Sequence, residues 1–308
     1  MIMLTFIVNP NSGGEHGFQV WKDVERRLKQ KKIPYKVFIT DGPGDATKIA
    51  REVCEDTPDT TIVAVGGDGT FNEILNGLKI EMDPVVGYIP TGSGNDLARG
   101  LGFSNNPVKC LNRILERKNV RSLDYGVLSY GTEKVQNRRF AVSTGIGYDA
   151  AVCFAIRDYS EKGKAGSRNK KKPYTMIGAA EIFRTKTSRG YVVLDDEKKV
   201  EFNDVIFISS QIHVTEGGGK KFTPTADPQD GELTLCIMHS KSKFRFIKLL
   251  YHGLNGNHLK YPGVRTYNCK HLKIHLENPK AVHADGELFG KQTDVEVRCV
   301  PGKLKIIV

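Results

Sequence analysis

Three segments of this chain concentrate glycine, small hydroxyls and single acids. They are NPNSGG at 9–14, GGDGTFNE at 66–73 and PTGSGNDLAR at 90–99. Glycine lets backbone N–H groups approach a phosphate, and the start of a following helix adds partial positive charge. One such loop is often a plain turn; three together predict a phosphate-bearing ligand. Asp68 lies inside the second loop and Asp96 inside the third. A carboxylate aimed at a triphosphate is repulsive unless a cation stands between them. Mg²⁺ held by one or two carboxylates and phosphate oxygens is the usual resolution. For Asp96 a helix N-cap role competes with this one. No G-x-x-x-x-G-K-[ST] occurs, and Leu97 stands where a G-x-G-x-x-G would need its third glycine. Neither a P-loop nor a dinucleotide fingerprint is therefore supported.

The elements that must carry these loops are legible as alternating signals. Short apolar runs at 4–8, 35–39, 61–65 and 85–89 alternate with helical spacing at 18–31, 45–54 and 71–78. Asn106-Pro107 opens a further helix, with proline where its missing N–H costs least. Continuous apolar strands each followed by a helix predict an α/β unit with a parallel sheet over 1–125. Beyond it the apolar runs are strand-like, at 191–194, 205–209, 233–238, 272–276 and 295–300, with helical stretches only near 149–158 and 243–254. A β-rich second unit over 126–290 follows. The closing VEVRCVPGKLKIIV alternates on both sides of Pro301-Gly302, which reads as a hairpin within 291–308.

Composition narrows the class. The 308 residues are 39% hydrophobic and 26% charged, which excludes a mostly disordered chain. No apolar run reaches the roughly 18 residues of a membrane span. The N-terminal MIMLTFIV lacks a basic leader and reads as a buried strand, not a signal peptide. Six cysteines scattered singly read as reduced thiols of a cytoplasmic protein. The 46 lysines and arginines against 35 acids give +11, which suggests an anionic partner. No nucleic-acid motif accompanies that charge.

With these residues in hand, the chain resembles the diacylglycerol kinase catalytic-domain family, and within it the bacterial soluble lipid kinases. The resemblance rests on Asn9-Pro10-Asn11-Ser12-Gly13, on Gly66 to Glu73 and on Pro90 to Arg99. Leu123-Asp124-Tyr125-Gly126, Asp230-Gly231-Glu232-Leu233 and Asp285-Gly286-Glu287 extend it. GGDGT alone is shared with NAD kinases; followed by GSGNDLAR it is far more specific. The resemblance implies an NAD kinase/diacylglycerol kinase-like α/β domain, a β-sandwich-like second domain and an active site between them, with the C-terminal segment returning to the first domain. It implies ATP contacts at Asn9, Pro10, Asn11, Ser12, Gly13, Thr40, Gly66, Gly67, Asp68, Gly69, Thr70, Phe71, Asn72 and Ser93. Asp68, Asp96 and Asp124 would surround a catalytic Mg²⁺, and Glu287 would be the proton acceptor. Asp230, with backbone carbonyls near Asp227 and Glu232, would form a second metal site with a structural role. The expected reaction is phosphoryl transfer from ATP to a lipid hydroxyl, diacylglycerol the first candidate, by a cytoplasmic protein visiting the membrane surface. An NAD kinase and a catalytically silent lipid-binding module are the alternatives. Oligomeric state is left open, a homodimer included.

Other features carry less. His271 and His275 lie four apart in a strand-like stretch and read as surface residues. Arg99 faces phosphate or caps a short helix. Gly217-Gly218-Gly219 reads as a flexible loop. The basic stretch at 161–172 reads as a solvated loop or a contact for lipid headgroups. FRFIKLLYHGL at 244–254 is amphipathic and reads as core packing ahead of membrane insertion.

Overall fold

A computed structural model describes residues 3–57, 60–162 and 174–308. Most of the basic stretch at 161–172 lies outside the described residues. The N-terminal unit is built on β1 (Leu4–Val8), β2 (Tyr35–Ile39), β3 (Thr61–Gly66) and β4 (Val85–Pro90), paired in parallel in the order β4-β3-β1-β2. β1 and β3 are buried along their whole length, as central parallel strands covered on both faces must be. Side chains alternate between the two covering layers. Phe6 and Val8 face Trp21, Val24 and Leu28 of α1 (Ser12–Gln30) and Leu111 of α5 (Pro107–Glu116). Ile7 faces the opposite layer with α2 (Asp45–Asp56), α3 (Asp68–Gly77) and the short α4 (Asp96–Gly100). α5 starts where the sequence places it: the Asn106 side chain accepts from the amides of Val108 and Lys109, and Pro107 follows.

The C-terminal unit is antiparallel. β5 (Val120–Tyr130) and β6 (Gln136–Phe140) pair with each other, and β5 also pairs with β13 (Glu287–Ile307). β7 (Ser143–Gly147), β8 (Ser188–Leu194), β9 (Lys198–Gln211), β10 (Leu233–His239), β11 (Val264–Cys269) and β12 (His271–Ala284) complete it around a second apolar core. α6 (Tyr148–Lys162), α7 (Tyr174–Arg184) and α8 (Lys243–Gly253) cover one side, over a further cluster of Phe207, Phe222, Met238, Phe246 and Leu249.

The hairpin expected at Pro301-Gly302 is not formed. β13 is a single strand of 21 residues. Its start pairs with β12, its length with β5, and its end with β4 in parallel, at Lys305 opposite Val85 and Ile306 opposite Val86. Between Val300↔Tyr125 and Leu304↔Leu123, three residues of β13 stand opposite Asp124 alone. Pro301 cannot donate to the ladder and Gly302 takes a φ of +59°, so the dipeptide makes a bulge, not a reversal. Alternation on both sides of it arises because both flanks pair with the same partner. The end of the strand does return to the N-terminal sheet.

Candidate active site

The three glycine loops leave the adjacent C-terminal ends of β1, β3 and β4 and are tied to one another. The Asn9 side chain donates to Thr70 Oγ1 at 3.0 Å. Ser12 Oγ lies 2.5 Å from Thr91 Oγ1 and 2.9 Å from the Asn9 carbonyl oxygen. The Thr91 amide donates to the Gly66 carbonyl at 2.8 Å. Two glycines are required by closeness. A Cβ on Gly92 would stand 2.6 Å from Gly67 Cα, and one on Gly13 would stand 2.3 Å from the Thr91 carbonyl oxygen, at a φ of +62°. On the joined loops Asn11, Gly13, Gly69 and Ser93 are exposed, with Pro10 and Gly67 half-buried. Thr40 is buried at the end of β2, its amide on the Val8 carbonyl.

Two residues assigned above to nucleotide contact do other work. Phe71 is buried, its ring 5.1 Å from that of Tyr88, and its amide is used by the Gly67 carbonyl. Asn72 is fully buried. Its amide group donates to Asp285 Oδ2 at 2.8 Å and to the Arg139 carbonyl at 2.9 Å. Its Oδ1 accepts from Arg138 at 2.6 Å and from Asn76 at 3.1 Å. Both donors and both acceptor sites are filled, so Asn72 has no capacity left for a ligand.

The acids are held by backbone amides. Asp68 Oδ2 accepts from the Asp96 amide at 3.0 Å and Oδ1 from the Leu97 amide at 3.3 Å. Burial first, then the like charges of Asp96 and Asp285, push the Asp68 carboxyl up to about 6 against those two hydrogen bonds. The Asp96 carboxylate accepts from Gly218 and Gly219, each at 2.8 Å, and Arg99 Nε stands 3.7 Å away. The glycine run at 217–219 is thus docked on the third loop, and Arg99 also donates to the Gly94 carbonyl at 2.9 Å. Asp124 is not grouped with Asp68 and Asp96. Its two oxygens accept from the amides of Gly231 and Gly302, each at 2.7 Å, so it fastens the 227–232 loop to the bulge of β13. In that loop Asp227 and Asp230 accept from the amides of Gln229 and Glu232, at 3.0 and 2.9 Å. Among the described residues no group of three His, Cys, Asp or Glu side chains is arranged to hold a metal ion by itself. His271 and His275 are no exception: His271 faces Asp196 and Glu296, and His275 faces Asp294.

Glu287 begins β13 directly after a two-residue turn. Asp285 at φ +47° and Gly286 at φ +83° give the two positive φ values that a tight Asp-Gly hairpin demands, and Ala284 pairs with Glu287 across it. Asp285 accepts four hydrogen bonds, from the amides of Ala141, Val142 and Ser143 and from Asn72. It therefore locks the turn to the β6–β7 junction and to α3. Arg138 Nη2 lies 2.5 Å from Glu287 Oε2 and 2.6 Å from Asn72 Oδ1, so Arg138 bridges Glu287 to α3. Burial raises the Glu287 carboxyl above the ordinary range, Arg138 opposes this, and the charges of Glu73 and Asp285 add to it.

Sequence reasoning missed three contributors: Arg138, the Gly218-Gly219 amides and a buried trio beneath the turn. In the trio, His283 Nε2 lies 3.2 Å from Asp149 Oδ2, and Gly286 N donates to His283 Nδ1 at 3.3 Å. Glu216, fully buried, accepts from Ser209 Oγ at 3.1 Å and is pushed up to about 7, by burial and then by Asp149. His283 precedes the DGE motif by two residues, which was the available signal; Arg138 and Glu216 sit in unremarkable sequence.

Comparison with known proteins identifies both units of the chain. Residues 3–128 match the family model of the diacylglycerol kinase catalytic domain, and residues 142–308 match that of the YegS C-terminal NAD kinase beta sandwich-like domain. A Bacillus subtilis protein named "Putative lipid kinase YtlR" is 29% identical over 98% of each chain. A protein of the same organism named diacylglycerol kinase is 25% identical, covering 92% of this chain and 89% of its own. A Bacillus anthracis crystal structure named "putative diacylglycerol kinase" shares the fold, with a TM-score of 0.77 at 22% identity over 99% of this chain and 96% of that one. With an N-terminal diacylglycerol kinase catalytic domain and a YegS-type sandwich-like domain spanning more than half its length, the chain belongs to the diacylglycerol kinase-like family of lipid kinases.

Proposed function

We propose that this protein transfers the γ-phosphoryl group of ATP to the hydroxyl of a membrane lipid, with diacylglycerol as the first substrate to test. The observation that carries the reading is the position of Glu287. It is connected through Arg138 to Asn72, in the helix that follows the second glycine loop. Phosphoryl transfer needs positioning and charge neutralisation more than covalent help. The joined loops, through Asn11, Gly13, Gly69 and Ser93, support the phosphates. Glu287 accepts the proton of the attacking lipid hydroxyl, and its raised carboxyl makes it a stronger base than a solvated glutamate. Arg138 orients it. The hydroxyl oxygen bonds to the γ-phosphorus as the bond to the β-phosphate bridging oxygen breaks, leaving ADP.

Mg²⁺ fits one residue of the glycine loops. Asp68 is a desolvated carboxylate whose neighbours Asp96 and Asp285 are like-charged, and each of its oxygens takes a single amide. It would hold the ion together with phosphate oxygens, and the ion would neutralise phosphate charge. Asp96 supports Asp68 through its amide. For a second cation, Asp230 would act with backbone carbonyls near Asp227 and Glu232, where the negative charges of Asp227, Glu232 and Asp124 surround it.

A cytoplasmic protein acting on the membrane surface is consistent with six free cysteines and with the lack of any helix long and apolar enough to cross a membrane among the described residues. The test is transfer of label from γ-labelled ATP to a lipid panel that also contains NAD, with products identified by mass spectrometry. Diacylglycerol or a related lipid is expected to take the label, and Glu287→Gln is expected to lower kcat by about 10²–10⁴. Label on NAD alone, or full activity in Glu287→Gln, overturns the reading.

A further inference from the structure

Helix α8 has two apolar faces. Phe246, Leu249 and Gly253 point inward onto Phe207, Met238 and Phe222. Phe244, Ile247, Tyr251 and Leu254 follow one another at steps of three and four residues, and are exposed by 80%, 37%, 68% and 44%. At 100° per residue this stripe lies roughly 150° around the helix from the buried one. Lys243 flanks it on one side and Arg245 and Lys248 on the other. α7 packs against α8 and adds Phe183, which is 64% exposed. Lys243 Nζ donates to the carbonyl of Thr185, which fixes the end of α7 beside Phe244. An apolar stripe with flanking bases matches the interfacial region of a bilayer, where rings enter the acyl boundary and cations meet headgroups.

The charge distribution selects the kind of surface. From Leu233 to Leu276 the sequence has no acid and eight lysines and arginines. In α7 the acid Glu181 is paired with Arg184 at 2.9 Å. The rest of the chain carries 38 bases and 35 acids, so most of the net charge of +11 resides in the segment that presents the stripe. That asymmetry opposes docking on an acid-poor or cationic partner and favours a polyanionic plane.

The stripe is also connected to the catalytic turn. Phe246, on the inward face, stacks edge-on against Tyr148 with ring centroids 5.0 Å apart. The next residue, Asp149, meets His283, which accepts from Gly286 of the Asp285-Gly286-Glu287 turn. A membrane against α8 is thus one packed layer from the element that carries the base.

We propose that the outward face of α8, extended by the end of α7, is the docking surface on an anionic bilayer. This rests on the lipid-kinase reading only for its purpose, and the test separates the two. Vesicles of phosphatidylcholine with and without phosphatidylglycerol, free of diacylglycerol and ATP, are sedimented with the full chain. Binding is expected to the anionic vesicles and to weaken as salt rises. Phe244→Ser combined with Tyr251→Ser is expected to reduce it about tenfold or more, as is Arg245→Glu combined with Lys248→Glu. The serine pair is expected to retain full kinase activity on detergent-dispersed diacylglycerol, which shows that it folds. Failure of the wild-type chain to bind anionic vesicles while phosphorylating dispersed lipid overturns the docking surface and leaves the kinase standing. Binding that the substitutions abolish, without phosphorylation of any lipid, does the reverse. A dimer that the serine pair dissociates with vesicle binding unchanged would assign the face to a second copy and overturn the proposal.

Discussion

Replacing Asp285 by asparagine separates a structural from a chemical role for the first acid of the DGE motif. Its four hydrogen bonds divide two to each oxygen: Val142 and Ser143 on Oδ1, Ala141 and Asn72 on Oδ2. An asparagine keeps one oxygen and sets an NH₂ group against whichever pair remains. Two buried donors then lose their acceptor, at about 1–3 kcal/mol each. The loss of a buried charge offsets part of this, because burial holds the Asp285 carboxyl above its usual range. A net destabilisation of about 2–4 kcal/mol follows. The turn that presents Glu287 loosens with it, so kcat is expected to fall in the folded protein. The KM for ATP is expected to hold, since the three glycine loops are tied by other contacts. Denaturant unfolding followed by fluorescence and circular dichroism gives the first quantity, and steady-state kinetics with separately varied ATP and lipid give the second. A variant that unfolds at the wild-type denaturant concentration, whether active or inactive, would refute the reasoning, because the four bonds would then carry no stability.

Gly92→Ala places a Cβ 2.6 Å from Gly67 Cα and is expected to separate the second and third loops. Its signature is a rise in the KM for ATP of about tenfold or more with lipid KM little changed, measured by initial rates. Glu216→Gln probes the buried trio. The folded carboxyl titrates at about 7 against an ordinary 4.5, so the folded state holds its proton through that interval and wild-type stability declines as pH rises across it. The glutamine has no such decline and can still accept from Ser209. Its advantage over wild type should be absent near pH 4 and grow to about 1–3 kcal/mol by pH 8, read from unfolding midpoints at each pH. A constant difference across that range would contradict the burial of an ionised Glu216.

Much of the N-terminal unit is legible because its signals are local. Five-residue apolar runs, a proline after Asn106 and glycine-rich strand ends each act within a few residues. The Asp285-Gly286-Glu287 segment entered through the family resemblance, and its tight turn, with positive φ at both Asp285 and Gly286, is what the structure adds. What sequence could not give is the allocation of polar groups across long separations. Asn72 sits in the same loop motif as Gly69 and Thr70, yet its partner Asp285 is 213 residues away. Asp124 looks like Asp68 and Asp96 in type and surroundings, but its amides come from 107 and 178 residues downstream. Phe71 is the apolar residue of its motif, and it packs inward against Tyr88. Pro301-Gly302 misleads for a different reason. A dipeptide that reverses an isolated chain is also tolerated as a bulge when a neighbouring strand supplies continuous pairing on both sides.

The long path of β13 fixes the order in which the molecule can be completed during synthesis. Leu304 and Ile306 belong to one helix-covered layer of the N-terminal sheet and Ile307 to the other. Those residues are translated after every other element described, so the N-terminal half emerges from the ribosome with β4 as a bare strand edge and gaps in both layers. It can close only when the second half is already present. A fragment ending near residue 125 would carry that open edge permanently and is exposed to edge-to-edge association. Cooperative folding of the two halves is thereby written into the chain path, and each molecule that completes its N-terminal sheet has also set Glu287 in place.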